Sequence, residues 1–179
     1  ASTTNMNSLY ASIHYYINQE REFAMLKHLI GPKILVVGSL HSGTTTLCKT
    51  LLNYGLKTGW SPVFCDLDVS DNQLYTQGTI SASVFNSTWI NRNFFDQKQI
   101  TFFHGYQTML NQTKLFQEQI KRLGQAVTSK LEYEKHAFLE NYKKDFFDSK
   151  EDPFSKDSYL YQEKKTFHSG VIVNTGPLK

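Results

Sequence analysis

Along the chain, stretches of helical period alternate with short apolar runs. Residues 8–29, SLYASIHYYINQEREFAMLKHL, carry Ile13, Tyr16, Ile17, Phe23, Leu26 and Leu29 at helical intervals, which predicts an amphipathic helix. The IGP that follows breaks the period, and KILVVG then reads as a short strand buried on both faces. From Gly43 the helical pattern resumes through Leu47, Leu51, Leu52 and Leu56, and KTGWSP is a turn punctuated by Gly59 and Pro62. VFCDLDV predicts a second buried strand with acids at its C-terminal end, and TISASVF and ITFFHG predict two more. Residues 111–133 read as a helix on Leu115, Ile120, Leu123 and Val127. Residues 134–167 mix both charge signs with scattered aromatics and little period, and their latter part reads as a flexible charged insertion. SGVIVNTG closes the pattern as another buried strand.

A strand, a loop, a helix and a second strand make a βαβ unit, so the expected fold class is α/β: a mostly parallel sheet flanked by helices in three layers. The length of 179 residues suits one domain spanning 1–179. The chain lacks an initiating Met, and it is expected to be a piece of a longer protein. The formal charge of +3 is too small and too dispersed to argue for nucleic acid on its own. Cys48 and Cys65 have neither metal-ligand nor disulfide-framework spacing, and their apolar neighbours predict buried free thiols. No apolar run approaches the ~20 residues that span a bilayer.

The chemistry concentrates in GSLHSGTTT, residues 38–46. Gly38 and Gly43 stand at the spacing of the phosphate-binding loop G-x-x-x-x-G-K-[ST], between a strand and a helix as that motif requires. The glycines let the backbone curl until successive N–H groups point inward, and the helix N-terminus adds partial positive charge. This machinery is main chain, so Thr44 in place of the lysine leaves it intact. Ser39, His41, Ser42, Thr44 and Thr46 complete the candidate phosphate seat, and Thr45 stands where a hydroxyl would ligate Mg²⁺. What the lysine's loss removes is the cation that follows charge during phosphoryl transfer, and one lost donor at a developing oxyanion costs about 2.7–4 kcal/mol of barrier. Lys49 is a poor substitute, since five residues at about 100° each turn it away from the loop. At the end of the second strand, Asp68 is the candidate metal-organising carboxylate and Asp66 reads as a strand-end acid with a structural partner.

Taken in order, MNSLYASIHYYINQEREFAM, GPKILVVGSLHSGTTTLCKTLLNYGLK, SPVFCDLDVSDN, GTISA, HGYQT, KLF and GVIVNTGPLK resemble the central domain of the Clp-type polynucleotide 5′-hydroxyl kinase family, a P-loop NTPase-like fold. The resemblance covers nearly the whole chain apart from the charged insertion. It implies ATP and Mg²⁺ as cofactors, with Gly43, Thr45 and Thr46 toward phosphate and metal and Asp68 toward metal and an attacking 5′-hydroxyl. It also implies RNA as a ligand, other subunits of the pre-mRNA cleavage and polyadenylation machinery as partners, and a nuclear location.

The family's RNA-gripping Thr-x-Gly-x-Asn clasp corresponds to TMLNQ here, so Thr108 persists while Leu110 and Gln112 replace its glycine and asparagine. A leucine at that point neither lets a backbone approach closely nor takes positive φ as glycine does. Lys114 matches a family lysine, Tyr106 is a further candidate RNA contact, and Asp71 and Asn72 replace the family's Gln and Gly. These departures fall on the chemistry and spare the apolar strands. The implied function is a degenerate ATP-binding, kinase-like subunit of the mRNA 3′-end processing machinery with little or no kinase activity. An active RNA 5′-hydroxyl kinase using another cation, and a nucleotide-free interaction scaffold, remain open alternatives.

Overall fold

A computed structural model describes residues 6–39, 41–86, 99–148 and 166–178. The elements run α1 (Met6–Leu26), β1 (Lys33–Ser39), α2 (Thr44–Lys57), β2 (Val63–Asp66), β3 (Thr79–Val84), β4 (Gln99–Phe103), a 3₁₀ turn (Met109–Gln112), α3 (Thr113–Asp148), α4 (Thr166–Ser169) and β5 (Val171–Leu178). One five-stranded sheet has the order β1-β5-β2-β3-β4. β5 pairs in parallel with both β1 and β2, whereas β3 is antiparallel to β2 and to β4. Four strands thus share a direction and β3 alone is reversed. The expected α/β class holds, with a more mixed sheet than a βαβ repeat would build.

Side-chain alternation sorts the core into two layers. Val36, Phe64 and Ile172 point to one face, where they meet Ile17 of α1 and Cys48, Leu51 and Leu52 of α2. Val63, Cys65, Ile80, Ala82 and Val171 point to the other, against Phe116, Leu123, Val127, Leu131 and Phe138 of α3. Helices on both faces of one sheet give the three layers. Both thiols are free and buried, and burial pushes each up to about 12, so neither is a nucleophile at neutral pH.

Three expectations need correction. β1 is an edge strand among the described residues, with Leu35 63% and Val37 47% exposed, because α3 does not extend over it. In α1, Tyr16, Phe23 and Leu26 are exposed, as is Leu29 beyond its end, while Arg21 is fully buried beside Ile17 and Ala24. Arg21 Nε donates to the Ser169 carbonyl at 2.8 Å, so the buried face of α1 includes an arginine tied to α4. Finally, α3 continues well beyond residue 133 to Asp148, since Leu131 and Phe138 maintain its core stripe through the charged sequence. The latter part of the charged insertion, 149–165, lies outside the described residues.

Candidate functional site

β1 ends at Ser39, and the chain turns through a Ser42 N–H donating to the Ser39 carbonyl at 3.1 Å. A Cβ on Gly38 would overlap Ser42 Oγ and stand 2.7 Å from Thr44 Cγ2, so glycine is required there for close approach. Gly43 is the residue before α2, with φ +85° and ψ +20°. Its missing side chain leaves α2 without a side-chain cap, and no acid occupies the first turn. The leading amides of Thr44, Thr45 and Thr46 therefore have no intrahelical acceptor and open toward the loop. His41 also adopts positive φ, at +61°, and is exposed. Ser39 and Ser42 are exposed as well, and Thr44 and Thr45 are half-buried. An uncapped N-terminus of a 14-residue helix behind a glycine turn fits a phosphate group.

The carboxylates come from the neighbouring strand end. Asp66 is fully buried. Its Oδ1 accepts from Asn174 Nδ2 and from the Asp68 N–H, each at 3.1 Å, and its Oδ2 accepts from the Gln73 N–H at 2.7 Å. Burial raises it to about 7; those three hydrogen bonds oppose the rise and the Asp68 charge adds to it. Asp66 thus joins β2, β5 and the following loop, which is the structural partnering the sequence suggested.

Asp68 is 7% exposed, and its Oδ1 accepts from Ser70 N at 2.9 Å, Ser70 Oγ at 2.6 Å and Asp71 N at 3.3 Å. No described residue bonds its Oδ2, which faces Gly176. Pro177, the next residue of β5, is paired with Gly38 in the sheet. The register therefore brings Asp68 to within one strand of the loop, at the C-terminal ends of β1, β5 and β2. Among the described residues no cluster of three or more His, Cys, Asp or Glu forms a metal site.

Three participants, Gly176, Asn174 and Gln73, escaped the sequence reading. Gly176 has φ +72°, and a Cβ there would stand 2.6 Å from Asp68 Cγ. Asn174 and Gln73 hold Asp66. Lys49 turns away from the loop as its position on α2 requires, and its ammonium donates to Gln73 Oε1 at 2.6 Å, tying α2 to the loop after Asp68. Of the three, only Gly176 carries a signal in sequence, a glycine at the end of an apolar strand in NTG.

The clasp residues lie at the same end of the sheet. Thr108 Oγ1 accepts from the Leu110 N–H at 3.4 Å and caps the 3₁₀ turn before α3, while Leu110 is 69% exposed. Gln112 and Lys114 are exposed beside it. Gly78 N donates to the Val69 carbonyl and His104 N to the Gly78 carbonyl, so the clasp strand is pinned to the loop that leaves Asp68. Tyr106 is exposed and sits edge-on to His104 at 5.9 Å.

The family described as "mRNA cleavage and polyadenylation factor CLP1 P-loop" matches residues 38–140, from the first loop glycine into α3. The mRNA cleavage and polyadenylation factor CLP1 of Lodderomyces elongisporus is 33% identical over 72% of this chain and 27% of its own length. The polyribonucleotide 5′-hydroxyl-kinase Clp1 of Danio rerio is 29% identical over 72% of the chain and 29% of its own length. The chain thus spans less than a third of either relative. A solved structure of wild-type Clp1p in complex with Pcf11p superimposes on 96% of the chain, and on 35% of Clp1p, with a TM-score of 0.69 at 20% identity. The matched stretch begins at Gly38, takes in both the loop and Asp68, and covers more than half of the sequence: the chain belongs to the CLP1 P-loop family.

Proposed function

We propose that this protein is a nucleotide-holding, kinase-like subunit of the nuclear mRNA cleavage and polyadenylation machinery, with little or no phosphoryl transfer of its own. One observation carries the reading. Gly43 has φ +85° and α2 is uncapped, which supports a main-chain phosphate seat, while the side chain at position 44 is threonine. ATP with Mg²⁺ is the ligand implied by the family, Thr45 and Asp68 being the metal-side groups. The bound nucleotide would stabilise the fold by mass action. A partner of the Pcf11p kind is inferred from the assembly that the relative Clp1p forms. RNA contact at Thr108, Gln112 and Lys114 is the weaker element, because Leu110 occupies the clasp's glycine position. Among the described residues no helix is long and apolar enough to cross a membrane.

The test joins a melt to a transfer assay. ATP and Mg²⁺ are expected to raise Tm, and a 5′-hydroxyl oligoribonucleotide is expected to remain unphosphorylated. Transfer that disappears in Asp68→Ala would establish an active kinase instead. An unchanged Tm at saturating nucleotide would leave the scaffold reading.

A further inference from the structure

Position 44 also bears on which nucleotide the loop prefers. In a loop with lysine there, the ammonium reaches the β- and γ-phosphates, whereas the main-chain amides cradle the phosphates nearer the nucleoside. Thr44 is short, and its methyl lies back toward Gly38. No other described cation takes over the task. Lys49 is engaged with Gln73 Oε1 at 2.6 Å, and His41 is exposed.

What the described residues do bring to this end of the sheet is negative charge. Asp68 is 7% exposed, and its Oδ2 is bonded by no described residue. It lies against Gly176, one residue from the Pro177 that pairs with Gly38. The amides that open α2 remain available to the phosphates nearer the nucleoside, whereas a terminal phosphate has no described ammonium to meet it.

We infer that the loop is a nucleoside diphosphate site, to which the γ-phosphate of a triphosphate adds no affinity. This rests on the nucleotide-holding reading above and narrows it from ATP to the diphosphate portion that ADP and ATP share. Thr44 is the residue that determines this specificity, and its effect is on binding, with no chemical step involved.

Isothermal titration of the full chain with ADP, ATP and AMP, with and without Mg²⁺, is the test. ADP and ATP are expected to bind within about threefold of one another, with AMP weaker by about tenfold or more. ATP tighter than ADP by tenfold or more overturns the inference and leaves the nucleotide-holding reading standing. AMP equal to ADP also overturns it, since the loop would not be gripping the second phosphate. Binding of none of the three overturns the nucleotide-holding reading itself. Thr44→Lys is expected to raise the ATP-over-ADP preference by about ten- to a hundredfold, the range of a hydrogen bond to a charged group. An unchanged preference in a variant whose circular dichroism melt is intact refutes the role of Thr44. The comparison of nucleotides on the unmodified chain decides the matter if the variant does not fold.

Discussion

Gly43 and Gly176 form a matched pair that isolates one steric contact. Their φ values are +85° and +72°, so an alanine at either meets a similar backbone penalty of about 1–2 kcal/mol. They differ in what the added atom would touch. At Gly43 nothing lies within 4 Å, whereas at Gly176 a Cβ would stand 2.6 Å from Asp68 Cγ, 2.8 Å from its Cβ and 2.9 Å from Oδ2. Asp68 cannot swing aside freely, because Ser70 N, Ser70 Oγ and Asp71 N all hold its Oδ1. Forcing a heavy atom into such a place costs about 1–3 kcal/mol more. Gly43→Ala is therefore expected to lose about 1–2 kcal/mol and Gly176→Ala about 2–5 kcal/mol. Equilibrium urea unfolding at constant m-value reads both. In an Asp68→Gly background, which removes the Cβ as well as the carboxylate, the excess cost at Gly176 should largely vanish, which a double-mutant cycle reports as coupling. Equal losses for the two glycines, or an excess that survives without the Asp68 side chain, would refute the packing argument.

Burial disfavours the charged form of Asp66 and pushes it up to about 7, from an ordinary carboxyl value of 3.8. The folded chain then binds more protons than the unfolded one between those values. The stabilising contribution is complete below about pH 4 and is lost as pH rises through about 7, a swing of about 4 kcal/mol at ~1.4 kcal/mol per unit. Urea midpoints across that window should slope less in Asp66→Asn than in the unmodified chain, and an identical slope would contradict the assignment. Arg21 is fully buried, and burial lowers it to about 10. Arg21→Ala should cost about 2–5 kcal/mol through the cavity, and Arg21→Met, which keeps the volume, less than about 1.5 kcal/mol; equal losses in thermal melts would refute a packing role. Phe85, fully buried and edge-on to Phe64 at 6.1 Å, should lose about 3–5 kcal/mol on truncation to alanine. Phe103, 74% exposed, should lose under about 0.5 kcal/mol in the same chemical denaturation.

The elements were legible because their patterns are local. KILVVG, VFCD, TISASV and VIVNTG each became a strand, and the helix after Gly43 begins within a residue of its expected start. The pairing was not legible, since β5 contributes the parallel neighbour of both β1 and β2 from more than a hundred residues away. Exposure of Leu35 and Val37 follows from that order and from where α3 lies, neither of which a strand's own residues encode. The buried face of α1 was misread for a related reason. An arginine ordinarily marks a solvent face, yet Arg21 is buried and donates to the carbonyl of Ser169, a partner so far along the chain that it leaves no trace in hydrophobic period. Near the loop, Gly38 and Gly43 were visible through their spacing, whereas Gly176 matters only because Asp68 happens to lie against it.

The two halves of the site answer to different constraints. The carboxylate half is woven into the fold: Asp66 links Asn174, Gln73 and the Asp68 amide, and Asp68 orders Ser70 and Asp71. Removing either acid would disorder a loop or strand pair whether or not chemistry occurs, so their persistence is no measure of catalysis. Position 44 carries a lighter constraint: the Thr44 methyl lies toward Gly38, while α2 begins at an uncapped glycine. Leu110, exposed in the turn before α3, is likewise little constrained by packing. Where folding makes little demand, the residue reflects use, and at both positions the side chain present is one that transfer and RNA grip would disfavour. The main-chain seat at Gly43 falls between these cases. It requires positive φ, so drift there to an ordinary residue would strain the turn as well as close the phosphate site. Under the proposed function, an uncapped helix start beside a threonine at position 44 would hold a nucleotide without transferring its phosphate, and the paired melt and transfer assays separate the two properties.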